Sequence, residues 1–206
     1  MTEQQRQKFA ELYNKYTGTQ NNFKGQDQQN IREVCAKART WTTTPERIGR
    51  CVIGQLVWQP GNGIANVGHG GIGEHGTAGL SHESFFPIVT TMLCTAARSN
   101  TITKTQYAAW KNAFFATAGY NAHVVFNRLA FACFPTQFCS VIDEERLRRV
   151  CSLLQTEGVA CEGIDLSQKD WFDLCELIVP IVREAFPDKD YADHSTFLAA
   201  VGVAVR

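Results

Sequence analysis

A chain of 206 residues with 44% hydrophobic and 19% charged residues has the composition of a folded protein, long enough to bury a core without disulfide or metal staples. Lysine plus arginine equal aspartate plus glutamate at 20 each, so any charged face must come from uneven distribution. The polar start Met1-Thr2-Glu3-Gln4-Gln5-Arg6 is no export signal, and no apolar run approaches the ~20 residues of a membrane span, which points to a cytoplasmic protein with no membrane partner.

Helical patterning begins at once. Phe9, Leu12, Tyr13 and Tyr16 fall at i, i+3, i+4 and i+7, one apolar stripe of a helix, and Ile31, Val34, Cys35 and Ala38 repeat it. Thr44-Pro45-Glu46 reads as a helix start, with Thr as N-cap and Pro at the first helical position, followed by Ile48, Cys51, Val52 and Leu56. Residues 59–81 carry eight glycines in 23 positions, a density no helix tolerates when each costs about 1 kcal/mol against alanine. They form a long loop, with a short hairpin suggested at Pro60-Gly61-Asn62-Gly63.

Helix resumes near residues 81–84, where Pro87 is tolerable only in a first turn. Thr103 caps a helix carrying Tyr107, Trp110 and Phe114, closed by Gly119. The strongly apolar run from His123 to Phe134 stops at Pro135. Asp143 caps the stripe Leu147, Val150, Cys151 and Leu154, ended by Gly158. Ser167-Gln168-Lys169-Asp170 resembles a capping box, opening a helix through Trp171, Leu174 and Ile178 that kinks at Pro180, and a last helix lies near Phe197 to Val203. The expected fold is mainly α, a multi-helix globular domain over residues 1–206, divisible if at all into 1–100 and 101–206.

Eight cysteines stand at 35, 51, 94, 133, 139, 151, 161 and 175, without a Cys-x-x-Cys pair. Most sit on apolar faces, where a free cysteine acts as a small hydrophobe. His69, Glu74, His75 and His82 cluster in or beside the glycine-rich loop, but their spacing matches no metal motif and no helix fixes them one turn apart. The loop contains no lysine, so the Walker pattern fails, and it does not lie between a strand and a helix as a dinucleotide fingerprint must. Cys139 near histidines is too loose a constellation to name a nucleophile, and Asp143-Glu144-Glu145 reads as a helix first turn where negative charge offsets the dipole. No catalytic residue, metal or cofactor is assigned.

Charge is the remaining feature. Net charge is +4 over residues 1–50, −1 over 51–100, +3 over 101–150 and −6 over 151–206. Arg32, Lys37, Arg39, Arg47 and Arg50 fall on two successive helices, and Arg146, Arg148 and Arg149 on a third. Guanidinium groups in such clusters suit phosphates. Trp41 lies between Arg39 and Arg47, where an exposed indole would stack on a base. The candidate nucleic-acid-binding residues are Arg39, Trp41, Arg47, Arg50, Arg146, Arg148 and Arg149.

Residues 126–154, FNRLAFACFPTQFCSVIDEERLRRVCSLL, join an aromatic-rich helix, Phe-Pro, Phe-x-x-Val-x-Asp and a basic amphipathic helix. This arrangement resembles the latter part of the N-terminal domains of McrB-type AAA+ ATPases from modification-dependent restriction systems. Residues 56–71, LVWQPGNGIANVGHGG, are similar to an Asn-Gly-Ile loop upstream in some of those proteins. The resemblance implies a non-catalytic DNA-recognition domain of a prokaryotic defence system that signals to a separate AAA+ ATPase or nuclease. It carries over no base-reading residue, because those domains vary in fold. Two other readings stand beside it: a protein–protein adaptor docking through its acidic end, and an enzyme or metal site in residues 60–82.

Overall fold

The computed structural model describes residues 1–18, 25–40 and 83–205. These form eight α-helices and a 3-10 turn at Glu83–Phe85, with no strand among the described residues. The helices are α1 Glu3–Gly18, α2 Gly25–Thr40, α3 Phe86–Ala96, α4 Lys104–Ala118, α5 His123–Cys133, α6 Glu144–Thr156, α7 Trp171–Ala185 and α8 Tyr191–Ala204. The mainly α expectation holds. The helix expected from Thr44 and the glycine-rich loop at 59–81 lie outside the described residues.

Two compact units divide the chain, one of Met1–Gln29 with Thr136–Arg206 and one of Asn30–Pro135. The first thus joins both ends of the sequence. In it α1, α6, α7 and α8 pack together, with α8 touching each of the other three. Such a position demands a helix apolar nearly all round, and nine of the residues from Ala192 to Gly202 are buried. Phe9 and Tyr13 of α1 meet Phe186 and Phe197, with ring centroids 5.0–6.3 Å apart. A second aromatic group sets Phe138 5.0 Å from Trp171 and 5.6 Å from Phe172.

The second unit packs α3, α4 and α5 against one another. Phe85, Phe114, Tyr107 and Phe126 form its aromatic core, at 4.8–5.5 Å between centroids. Every residue from Val125 to Cys133 is buried, including the polar Asn127 and Arg128. The Tyr107 hydroxyl donates to Asn127 Oδ1 at 2.6 Å, and burial brings the Arg128 guanidinium down to about 10.

Local chemistry explains most helix ends. Thr103 and Gln106 form a reciprocal capping box on α4, and Gly119 closes it with φ 74°, a left-handed conformation that costs glycine nothing. Pro87 sits in the first turn of α3, where its missing N–H is no loss. Asp143 accepts from Arg146 N at 2.7 Å to start α6. Two starts differ from the sequence expectation. Ser167 does not cap α7, because its amide and hydroxyl both donate to Asp165 Oδ1 in a turn of their own, and Asp170 caps the helix instead through Asp173 N. Helix α8 begins at Tyr191, six residues earlier than expected, on a capping box of Asp190 and Asp193. Helix α7 continues past Pro180 to Ala185.

Trp171 shows how one side chain joins these elements. It is 1% exposed, and its indole Nε1 donates to Val141 O at 2.8 Å, holding the segment before α6 on α7. Trp171→Phe keeps most of the ring packing but strips Val141 O of this donor inside the core. A loss of about 1–3 kcal/mol is expected in urea unfolding. A loss under about 0.5 kcal/mol would mean that water reaches the carbonyl.

Candidate nucleic-acid interface

Once the chain is folded, charge must be counted by unit. The span Asn30–Pro135 holds nine Lys/Arg against four Asp/Glu, a surplus of +5. The other unit holds eleven against sixteen, a deficit of −5. A neutral sequence therefore folds into one cationic and one anionic unit. The Arg146–Arg148–Arg149 cluster belongs to the anionic one, and Arg39 to the cationic one.

Within the cationic unit, residues 84–135 contain no Asp or Glu, so α3, α4 and α5 bring no carboxylate of their own. The turn between α3 and α4 is fixed by its own hydrogen bonds: Ser99 Oγ donates to Thr101 O at 2.7 Å and accepts from Thr101 N at 3.2 Å. Arg39, near the end of α2, donates through Nη2 to Asn100 Oδ1 of this turn. That bond brings Arg39 to the segment holding Arg98 and Lys104, both exposed. Lys104 occupies the first turn of α4, which contains no acid. A cation at the positive end of a helix dipole is unfavourable by a few tenths of a kcal/mol. Three cations gathered at such an end make a surface disposed toward anions.

The other predicted arginines differ among themselves. Arg148 is internally engaged, its guanidinium donating to Glu145 at 2.6 Å, Glu144 at 2.9 Å, Lys169 O at 2.8 Å and Leu166 O at 3.1 Å. Burial opposes its charge, but the two carboxylates outweigh that and raise its pKa. Arg149 is exposed, with Nε 3.7 Å from Glu145. Arg146 is exposed as well, and its Cγ and Cδ lie where a side chain at position 202 would begin. Trp41, Arg47 and Arg50, like His69, Glu74, His75 and His82, lie outside the described residues. Among the described residues no group of three or more His, Cys, Asp or Glu is placed to hold a metal ion, and no helix is long and apolar enough to cross a membrane.

Arg98 and Lys104 did not emerge from the sequence because each stands apart from other cations along the chain. The acid-free run of 84–135 was the available indicator. Comparison with protein-family models, with curated proteins and with solved structures finds no match to this chain.

Proposed function

We propose that the chain is a non-catalytic nucleic-acid recognition module, binding DNA through the cationic unit. The observation that carries this reading is the bond from Arg39 to Asn100, which brings Arg39 to the turn that holds Arg98 and leads to Lys104, within a stretch, residues 84–135, that has no Asp or Glu. Phosphate contacts of this kind set affinity and register without reading sequence. Trp41, Arg47 and Arg50 follow Arg39 in the chain and are the candidates for stacking and further phosphate contacts. The resemblance to McrB-type N-terminal domains gives the setting: a prokaryotic defence system whose AAA+ motor or nuclease is another protein. The anionic unit favours a second reading, an adaptor that docks on a basic partner.

The test is anisotropy of labelled duplexes, with and without modified bases, at about 50 and 200 mM salt. Arg98→Ala with Lys104→Ala is expected to lower the slope of log affinity against log salt by about two, near 0.9 per phosphate contact. At roughly 50 mM salt that corresponds to about tenfold weaker binding per contact. The melting temperature should hold, since both side chains are exposed. If the unaltered protein binds neither DNA nor RNA at low salt, the recognition reading fails and the adaptor reading leads.

A further inference from the structure

Helix α4 has a chemically mixed outer face. Lys104, Ala108, Lys111 and Phe115 fall at i, i+4, i+7 and i+11, which sets all four within about 60° of one another around the helix axis. The buried Tyr107 and Phe114 lie to one side of this stripe. Lys104 is exposed, and the other three are half-buried, so solvent reaches the stripe along its length. From Lys104 to Phe115 it runs about 16 Å, at 1.5 Å per residue.

The two ends differ. The first begins just after the turn that holds Arg98 and whose Asn100 receives Arg39. Further on, Lys111 Nζ stands 5.3 Å from the centroid of the Tyr107 ring, a cation–π contact that keeps the ammonium along the helix surface. At the second end the Phe115 ring meets that of His123, the first residue of α5, edge to face with centroids 4.7 Å apart. Phe126 flanks Phe115 as well, at 6.5 Å, so Phe115 serves as the wall of this corner. Between Phe115 and His123 the chain turns through Gly119, whose left-handed φ of 74° ends α4, and then presents Tyr120. Tyr120 is 48% exposed, and among the described residues its ring stacks on no other.

Cations in line with an exposed ring make two demands on a ligand. Lys104 and Lys111 suit phosphates, and residues 84–135 bring no carboxylate of their own to compete for them. Such cations serve a duplex and a single strand alike. The ring discriminates between them. In a duplex each base face is covered by the next base pair, whereas an unpaired strand can lay a base on an aromatic side chain.

We propose that this face of α4 takes a single strand of nucleic acid, with phosphates on Lys104 and Lys111 and a base stacked on Tyr120 at the corner between α4 and α5. The inference rests on the nucleic-acid reading above and narrows its ligand to unpaired strand. Stacking of this kind tolerates any base, because every base has a π-face, so little sequence preference accompanies it.

The test is anisotropy of labelled oligo-dT and oligo-rU of about 15 nucleotides, beside a DNA duplex of similar length, over a range of salt concentrations from about 50 mM upward. One of the two single strands, or both, should bind more tightly than the duplex. Tyr120→Ala should weaken single-strand binding about fivefold or more at every salt concentration, leaving the salt slope unchanged. Tyr120→Phe keeps the ring and should keep the affinity. Lys111→Gln should instead reduce the slope of log affinity against log salt by about 0.7, the value of one phosphate contact on a single strand. Melting temperatures of all three variants check that the fold is retained. The proposal is overturned if the duplex binds as tightly as both single strands or more so, or if Tyr120→Ala leaves single-strand affinity unchanged. Either result would leave the nucleic-acid reading standing on phosphate contacts alone. Binding of no probe at the lowest salt would remove that reading and this inference together.

Discussion

Phe197→Ala should lower the stability of the protein by about 3–5 kcal/mol in urea unfolding, the cost of emptying a large aromatic site in a core that cannot collapse onto it. Phe197 is fully buried on α8, and its ring meets Phe9, Tyr13 and Phe186 at centroid distances of 5.6–6.3 Å. Two of those partners belong to α1, so the substitution removes the surface against which the N-terminal helix docks. Amide exchange in α1 should therefore quicken more than in α6, whose contact with α8 runs through Gly202, Arg146 and Val150. Phe197→Leu refills part of the space and should cost about half as much. A loss under about 1 kcal/mol for the alanine variant, or uniform loss of protection across the unit, would mean that the four rings do not act as the keystone of this packing.

The same aromatic site shows what sequence could and could not yield. Phe9, Leu12, Ile31, Val34, Cys35 and Ala38 are legible as buried stripes because α1 and α2 each present one apolar face, and all six are buried. Helix α8 gives no such stripe at its start. Asp193, His194, Ser195 and Thr196 look like a solvated stretch, which hid the first six residues of the helix. Three of them are buried all the same, because the fold supplies partners: His194 Nε2 lies 3.0 Å from Phe186 O, Thr196 Oγ1 donates to Ala192 O at 2.7 Å, and Ser140 Oγ donates to Ser195 O at 3.3 Å. A polar residue reads as exposed until the group that satisfies it is known. Ser167 illustrates the converse, since a serine with the spacing of a cap was taken by a nearer acceptor, Asp165. Asn127 and Arg128, within a run that reads as apolar, are buried with it. Most described cysteines are buried, as their apolar neighbours led one to expect, and Cys94 on α3 is the exposed one among them.

Function was less legible for a related reason. Cations were grouped by their neighbours along the chain, whereas an anion meets them grouped by the fold. Arg39 lies 61 positions from Asn100, and no local pattern links them. Counting by compact unit turns a weak quarter-by-quarter asymmetry into +5 against −5. The two arginine groups that looked equivalent are then separated, Arg39 in the cationic unit and Arg146, Arg148 and Arg149 in the anionic one, where Arg148 and Arg149 stand beside Glu144 and Glu145.

That separation makes Arg148 the decisive case. An arginine whose role is to touch phosphate is dispensable for folding, so Arg148→Ala would leave the melting temperature where it was. The structure points the other way. The guanidinium is bonded to two carboxylates one turn back on α6 and to the carbonyls of Leu166 and Lys169, and its side chain is 21% exposed. Glu144 is tied in further, since its other oxygen accepts from Trp171 N at 3.1 Å at the start of α7. Removing the cation leaves Glu144 and Glu145 side by side without it and takes a donor from each of two carbonyls. Surface ion pairs alone contribute little, and solvent reaches both carboxylates, so the carbonyl bonds supply most of the effect. Arg148→Ala should cost about 2–3 kcal/mol and lower the melting temperature by several degrees. Lysine carries the charge but not the fork that spans four acceptors, so Arg148→Lys should recover less than half of the loss. Arg149→Ala, one residue on and exposed, should change stability by less than about 0.5 kcal/mol. Equal melting temperatures for the Arg148 and Arg149 variants would show that the strap between α6 and α7 holds without the guanidinium, and would return Arg148 to the pool of surface cations available for phosphate.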